Sequence, residues 1–188
     1  MKLFHFSDEA GLARFDPRPV RIPSARGADR AWLNGPLVWA IDERHQALYL
    51  FPRECPRIVV WAEATTTAAD RAQWLGDARM AAFVENAWME RLRGAVIWRY
   101  QLPEATFESL EDAGMWVSRS VVEPLAAEKL TGLPEMLAGL GVELTSVASF
   151  APLRALWATS LHASGIRLRN AASWAASSAE RAEGSDGL

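Results

Sequence analysis

Near the start of the chain, Leu3-Phe4-His5-Phe6-Ser7 alternates with the period of a strand. Successive side chains of a strand point to opposite faces, so Leu3, His5 and Ser7 share one face while Phe4 and Phe6 share the other. The phenylalanines are expected in a core. His5 and Ser7 then form a polar pair on a face that need not be packed, which is where a ligand can sit.

Further along, strand signals dominate the first two thirds of the chain and helix signals the remainder. Residues 8–35 carry Pro17, Pro19, Pro23, Gly27 and Gly35 among several arginines, the composition of a long irregular loop. Residues 37–40 read as a strand, and Asp42 can cap a short helix over 43–51 that Pro52 ends. The β-branched run in Arg-Ile-Val-Val-Trp-Ala-Glu predicts a buried strand over 58–63. Thr65, Thr66, Thr67 and Asp70 mark a turn and a helix start. Met80, Phe83, Val84, Ala87 and Leu92 recur near helical spacing and predict an amphipathic helix over 77–93, closed by Gly94.

Strands are expected over 95–102 and 115–122, helices over 133–140 and 151–163, and a strand between them over 142–147. Gly165 stops the last helix, and 166–170 reads as a short final strand or arm. Beyond residue 171 the Ala/Ser/Glu/Gly composition cannot bury enough apolar surface to order itself, so 171–188 is expected to be a disordered tail. The whole reads as one globular α+β domain over 1–170, with a mixed, mostly antiparallel sheet core and flanking helices.

Composition removes several function classes. A formal charge of -3 gives no broad attraction to phosphate backbones, so nucleic acid is not the expected partner. The basic residues are 18 arginines and only Lys2 and Lys129. Neither lysine follows a glycine-rich loop, which excludes a P-loop, and neither is placed for Schiff-base chemistry. A single cysteine, Cys55, excludes an internal disulfide, and His5, His45 and His162 stand too far apart for a zinc motif, so no metal is expected. With no signal-peptide pattern and no apolar run long enough to span a bilayer, the expected location is the cytoplasm, away from membranes.

Four segments carry a resemblance: LFHFSD at 3–8, VWAIDERHQALYLFPRECPR at 38–57, WVSR-x-x-VEPL at 116–125 and SGIRLRNA at 164–171. Over roughly 1–171 these resemble an uncharacterised bacterial protein family. A more remote resemblance is to the ADP-ribosyltransferase fold, whose members commonly open on a short Leu-Tyr-His or Leu-Phe-His strand. They continue with a glycine, a strand ending in an aromatic-Ala pair, and a short helix presenting an aromatic residue. Leu3-Phe4-His5, Gly35, Trp39-Ala40 and Tyr49 fall in that order.

The resemblance implies NAD as cofactor, with His5 holding the ribose of its nicotinamide half and Tyr49 stacking on the nicotinamide. It also calls for a glutamate at the head of a late strand, to support the transition state by its charge. The matching strand begins at Gly114, Met115 or Trp116. Glu111 and Asp112 lie just upstream and Glu123 at the other end, so no acid falls on the position.

Two more polar groups are candidates for cofactor phosphate. Ser118 and Arg119 close that late strand. Arg167, Arg169 and Asn170 end the folded part; on a strand the two arginines point the same way and make a two-pronged anion site. Other catalytic constellations fail: GxSxG is missing, Cys55 lies between Glu54 and Pro56 in a turn that does not activate a thiol, and the carboxylate pairs are those any helix surface supplies. Two readings remain. One is an NAD-binding ADP-ribosyltransferase-like enzyme with an unknown acceptor; the other is a non-catalytic domain of related fold that binds a nucleotide-like ligand or a protein partner.

Overall fold

A computed structural model describes residues 1–23, 25–172 and 174. The expected tail over 171–188 lies almost wholly outside the described residues. Ten strands are described: β1 (Leu3–Ser7), β2 (Val38–Asp42), β3 (Arg57–Trp61), β4 (Met80–Glu85), β5 (Ile97–Leu102), β6 (Glu108–Ser109), β7 (Met115–Ser118), β8 (Ala126–Leu130), β9 (Val142–Val147) and β10 (His162–Ile166). Three short α-helices accompany them: α1 (Ala68–Trp74), α2 (Met89–Gly94) and α3 (Leu133–Gly139). The fold is α+β, with two mostly antiparallel sheets and few helices.

The described residues divide into two compact units. The first combines Met1–Arg53 with Val96–Thr131 and holds a six-stranded sheet in the order β6-β7-β2-β1-β5-β8. β1 is central, pairing with β2 through Leu3↔Asp42 and with β5 through all five of its residues. Both faces of this sheet are packed. On one, Leu3, Val38, Ala40 and Tyr100 meet Phe15, Phe107 and Val122; on the other, Phe4, Trp39, Ile41, Met115 and Val117 meet Leu33 and Leu37. Each fully buried side chain of this size stabilises the fold by about 1.5–3 kcal/mol.

The face of His5 and Ser7 is therefore not the open face that alternation suggested. The 8–35 loop lies across it, with Phe15 bridged to Val122 and its ring 4.8 Å from that of His5. Tyr100, opposite His5 on β5, tacks the loop down: its hydroxyl donates to the Glu9 carbonyl at 2.8 Å and accepts the Leu12 N–H at 3.2 Å. The expected helix over 43–51 is only a 3-10 turn, Gln46–Tyr49. β8 joins this sheet as an edge strand, and its four exposed residues hid it from any alternation.

The second unit combines Glu54–Ala95 with the described residues that follow Thr131, and its sheet runs β10-β3-β4-β9. β4 pairs with β9 in parallel; the other two pairings are antiparallel. Three expectations are corrected here. Residues 77–93 do not form one helix: 80–85 are β4, buried at every position, and helix returns only near Asn86. An inner strand covered on both sides has no alternation to display, and its alanines fit either period. The expected helix over 151–163 is a 3-10 segment, Ala151–Ala158, followed by β10. Residues 167–170 are not a strand, because β10 ends at Ile166, Arg167 turns left-handed at φ 56° and Leu168–Asn170 coil into a 3-10 turn. Thr67 caps α1 as its spacing predicts, accepting the Asp70 N–H.

Candidate functional site

His5 is the most specifically built of the expected contacts. β1 and β2 pair only at Leu3 and Phe4, and a β2 carbonyl two residues beyond the paired stretch meets the imidazole: His5 Nδ1 lies 2.9 Å from the Trp39 carbonyl oxygen. A carbonyl only accepts, so Nδ1 carries the proton and Nε2 is the acceptor nitrogen of the neutral ring. Burial pushes the His5 pKa below 6.5; the bond to Trp39 opposes that shift, and the charge of Arg53 adds to it. Arg53 itself is exposed, and its backbone N–H reaches Asp8 Oδ1 at 3.4 Å. A neutral hydrogen-bond acceptor with a cation in its field is a combination suited to a ribose hydroxyl beside a phosphate.

Ser7 is buried, and its Oγ accepts the Glu9 N–H at 3.1 Å, which fixes the exit of the strand. Tyr49 ends the Gln46–Tyr49 turn and stacks on Phe6, ring centroids 6.3 Å apart. Phe6 is on the opposite face of β1 from His5, so the structure does not bring His5 and Tyr49 together on one face. Ser118 is buried; its hydroxyl donates to Thr106 Oγ1 at 2.9 Å and accepts the Ser120 N–H at 3.2 Å. Arg119 is paired with Glu108 and lies over Trp32, 4.7 Å from the ring centroid.

Arg167, Arg169 and Asn170 belong to the second unit, and they do converge. Their target is the chain's own carboxylate, Glu54: Arg167 at 3.8 Å, Arg169 at 3.5 Å and Asn170 Nδ2 at 2.9 Å, with Nδ2 also on the Glu54 carbonyl. The same turn holds Cys55, whose thiol burial pushes up to about 11 against the nearby Arg57, so it is not an activated nucleophile.

Asp42 and His45 form a second built pair. Asp42 Oδ1 accepts the His45 backbone N–H at 2.7 Å and lies 2.8 Å from the imidazole Nδ1. Burial pushes the Asp42 carboxyl up, but the hydrogen bonds and charge of His45 outweigh it and hold the group below 3.8. Gly114 packs against the pair at φ 71°, and Glu111 and Ala113 are left-handed too, at 53° and 48°. Asp-x-x-His at 42–45, with aspartate at the end of a strand, is the sequence signal for it, beyond the helix cap expected of Asp42. Trp39, which the resemblance places in its aromatic-Ala pair, has a buried indole N–H with no hydrogen-bond partner among the described residues. An unpaired buried donor costs about 1–3 kcal/mol.

A cleft of about 130 Å³ opens beside Phe4 and Arg99. It is internally neutralised: Arg99 donates to Gln46 Oε1 at 2.6 Å and Glu128 Oε2 at 2.5 Å, and Lys2 donates to Glu43 at 3.0 Å. Among the described residues no cluster of His, Cys, Asp and Glu is placed to hold a metal ion, and no helix is long and apolar enough to cross a membrane.

The chain is an α+β protein with two mostly antiparallel sheets and an oriented histidine within its first strand. The chain belongs to the family of unknown function DUF6886, whose model matches residues 4–171. No curated protein and no solved structure matches it.

Proposed function

We propose that the chain is an ADP-ribosyltransferase-like domain that binds a ribose-bearing nucleotide, NAD or a relative, at His5 without transferring it. The observation that carries this reading is the His5 imidazole, oriented by the Trp39 carbonyl and kept neutral, with Nε2 as acceptor and Arg53 in its field. The ribose hydroxyl donates to Nε2, and Arg53 supplies charge for the adjoining phosphate. Transfer needs more. An acid is absent from Gly114, Met115 and Trp116 at the head of β7, and the nearby Asp112 is bound to Arg30 at 2.7 Å. Tyr49 cannot stack on a ring held at His5 from the other face of the sheet.

The test is calorimetric titration with NAD and ADP-ribose, alongside chromatographic assay of free nicotinamide. Binding without nicotinamide release, weakened at least about tenfold in both His5→Ala and Arg53→Ala, is expected. No heat and no rise in melting temperature at millimolar nucleotide overturns the site. Nicotinamide release that His5→Ala abolishes would restore the transferase reading instead.

A further inference from the structure

The cleft beside Phe4 lies on the face of the six-stranded sheet opposite His5, and strand register accounts for its shape and its charge. Residues directly opposite one another on neighbouring strands share a face. Phe4, Gln101 and Ala126 therefore form one row across β1, β5 and β8, and Phe6, Arg99 and Glu128 form the next. Ala126 is small and exposed on the edge strand, so the first row ends in a depression. Arg99 and Glu128 wall it on one side; Lys2, two residues before Phe4, and its partner Glu43 wall it on the other.

The two walls are held differently. Arg99 is braced by Gln46 and Glu128 and lies over the Phe4 ring. Lys2 and Glu43 share a single contact at 3.0 Å, with side chains 57 % and 54 % exposed. An ion pair that open to water adds little to stability and separates at little cost. Between the walls, the Gln101 carboxamide makes no hydrogen bond to another described residue.

We propose that this cleft binds a small free α-amino acid as its zwitterion, with the α-carboxylate on Lys2 and the Gln101 NH2 and the α-ammonium on Glu43. Lys2 and Glu43 cancel one another, so a lone anion or a lone cation meets as much repulsion as attraction. A molecule carrying both charges on one carbon is attracted at both ends and replaces the internal pair with two of its own. The Gln101 amide gains the acceptor it lacks. At about 130 Å³ the cleft is well under the roughly 300–1,000 Å³ of sites for drug-sized ligands, which restricts the occupant to few heavy atoms. Arg99 and Glu128 keep their partners, so the sheet does not move. His5 takes no part, and the nucleotide reading stands or falls separately.

The experiment is nitrogen-15 NMR of the side-chain amides, the Gln101 pair being the one missing from Gln101→Leu. Glycine and L-alanine are titrated separately, against acetate alone and methylammonium alone at matched ionic strength. A saturable shift of the Gln101 amide with at least one amino acid, and with neither single ion, is expected. Lys2→Met and Glu43→Gln should each weaken it at least about tenfold, and His5→Ala should leave it unchanged. An amide unmoved by both amino acids overturns the proposal, as does a shift that acetate or methylammonium reproduces or that survives Lys2→Met or Glu43→Gln. Should Gln101→Leu fail to fold, a side-chain amide shift weakened in both of those surface variants carries the same decision.

Discussion

His5 gives the fold a stability signature in a pH range that no other resolved shift occupies. Its folded pKa lies below the ordinary 6.5, so the unfolded chain takes up the proton first as pH falls. The His5 contribution is complete above 6.5 and is lost as pH drops from there through the folded value. Asp42 and Asp70 are also held low, but they lose their contributions below 3.8. Urea midpoints measured between pH 7.5 and 5 should therefore fall in the wild type and flatten in His5→Gln; equal slopes would refute the assignment. Gly114 offers a paired test. A Cβ there would lie 2.2 Å from His45 Nδ1, whereas at Gly11, also left-handed at 69°, it would meet nothing within 4 Å. Gly11→Ala should cost about 1–2 kcal/mol and Gly114→Ala roughly 3 kcal/mol or more, by denaturant titration. The strand around His5 was legible from alternation alone. Its burial was not, because the covering residue, Phe15, comes from an irregular loop with no period to read.

Elements were legible where a cap marks the start or β-branched residues run together. α1 announced itself through Thr67 and Asp70, and β3 through its β-branched run. β4 was lost because a strand buried at all six positions displays neither period, and β8 because an exposed edge displays no apolar face. The Arg167 and Arg169 fork failed for a different reason: strand geometry was assumed through a residue that the chain turns left-handed. Between elements, the Tyr100 hydroxyl is the peg that holds the 9–12 stretch to β5. Tyr100→Phe should cost about 1 kcal/mol and speed hydrogen exchange at the Leu12 amide while leaving Trp61 and other amides of the second unit unchanged. Unaltered exchange at Leu12 would show that the loop is held by Phe15 alone.

At the scale of the whole molecule, neither unit is contiguous in sequence. The six-stranded sheet needs residues 1–53 and 96–131, and the four-stranded sheet needs strands from both sides of the latter segment. Residues 1–95 made alone would keep β1 and β2 but lose β5 and β7, their partners on either side. That fragment should show no cooperative thermal transition by circular dichroism; a sigmoidal transition like that of the full chain would contradict the topology. Pairing residues some ninety positions apart also has to precede most core burial, which places folding among the slower topologies.

The edge strand β8 has a consequence for behaviour in a crowded solution. Its outer backbone is a ready template for another chain, and strands of that kind seed ordered aggregates. Glu128 and Lys129 sit in the middle of it, one charge of each sign on opposite faces, so an incoming strand would have to strip water from one or the other whichever way it approached. The pair that made β8 hard to recognise is thus also one that opposes strand addition at that edge of the largest sheet.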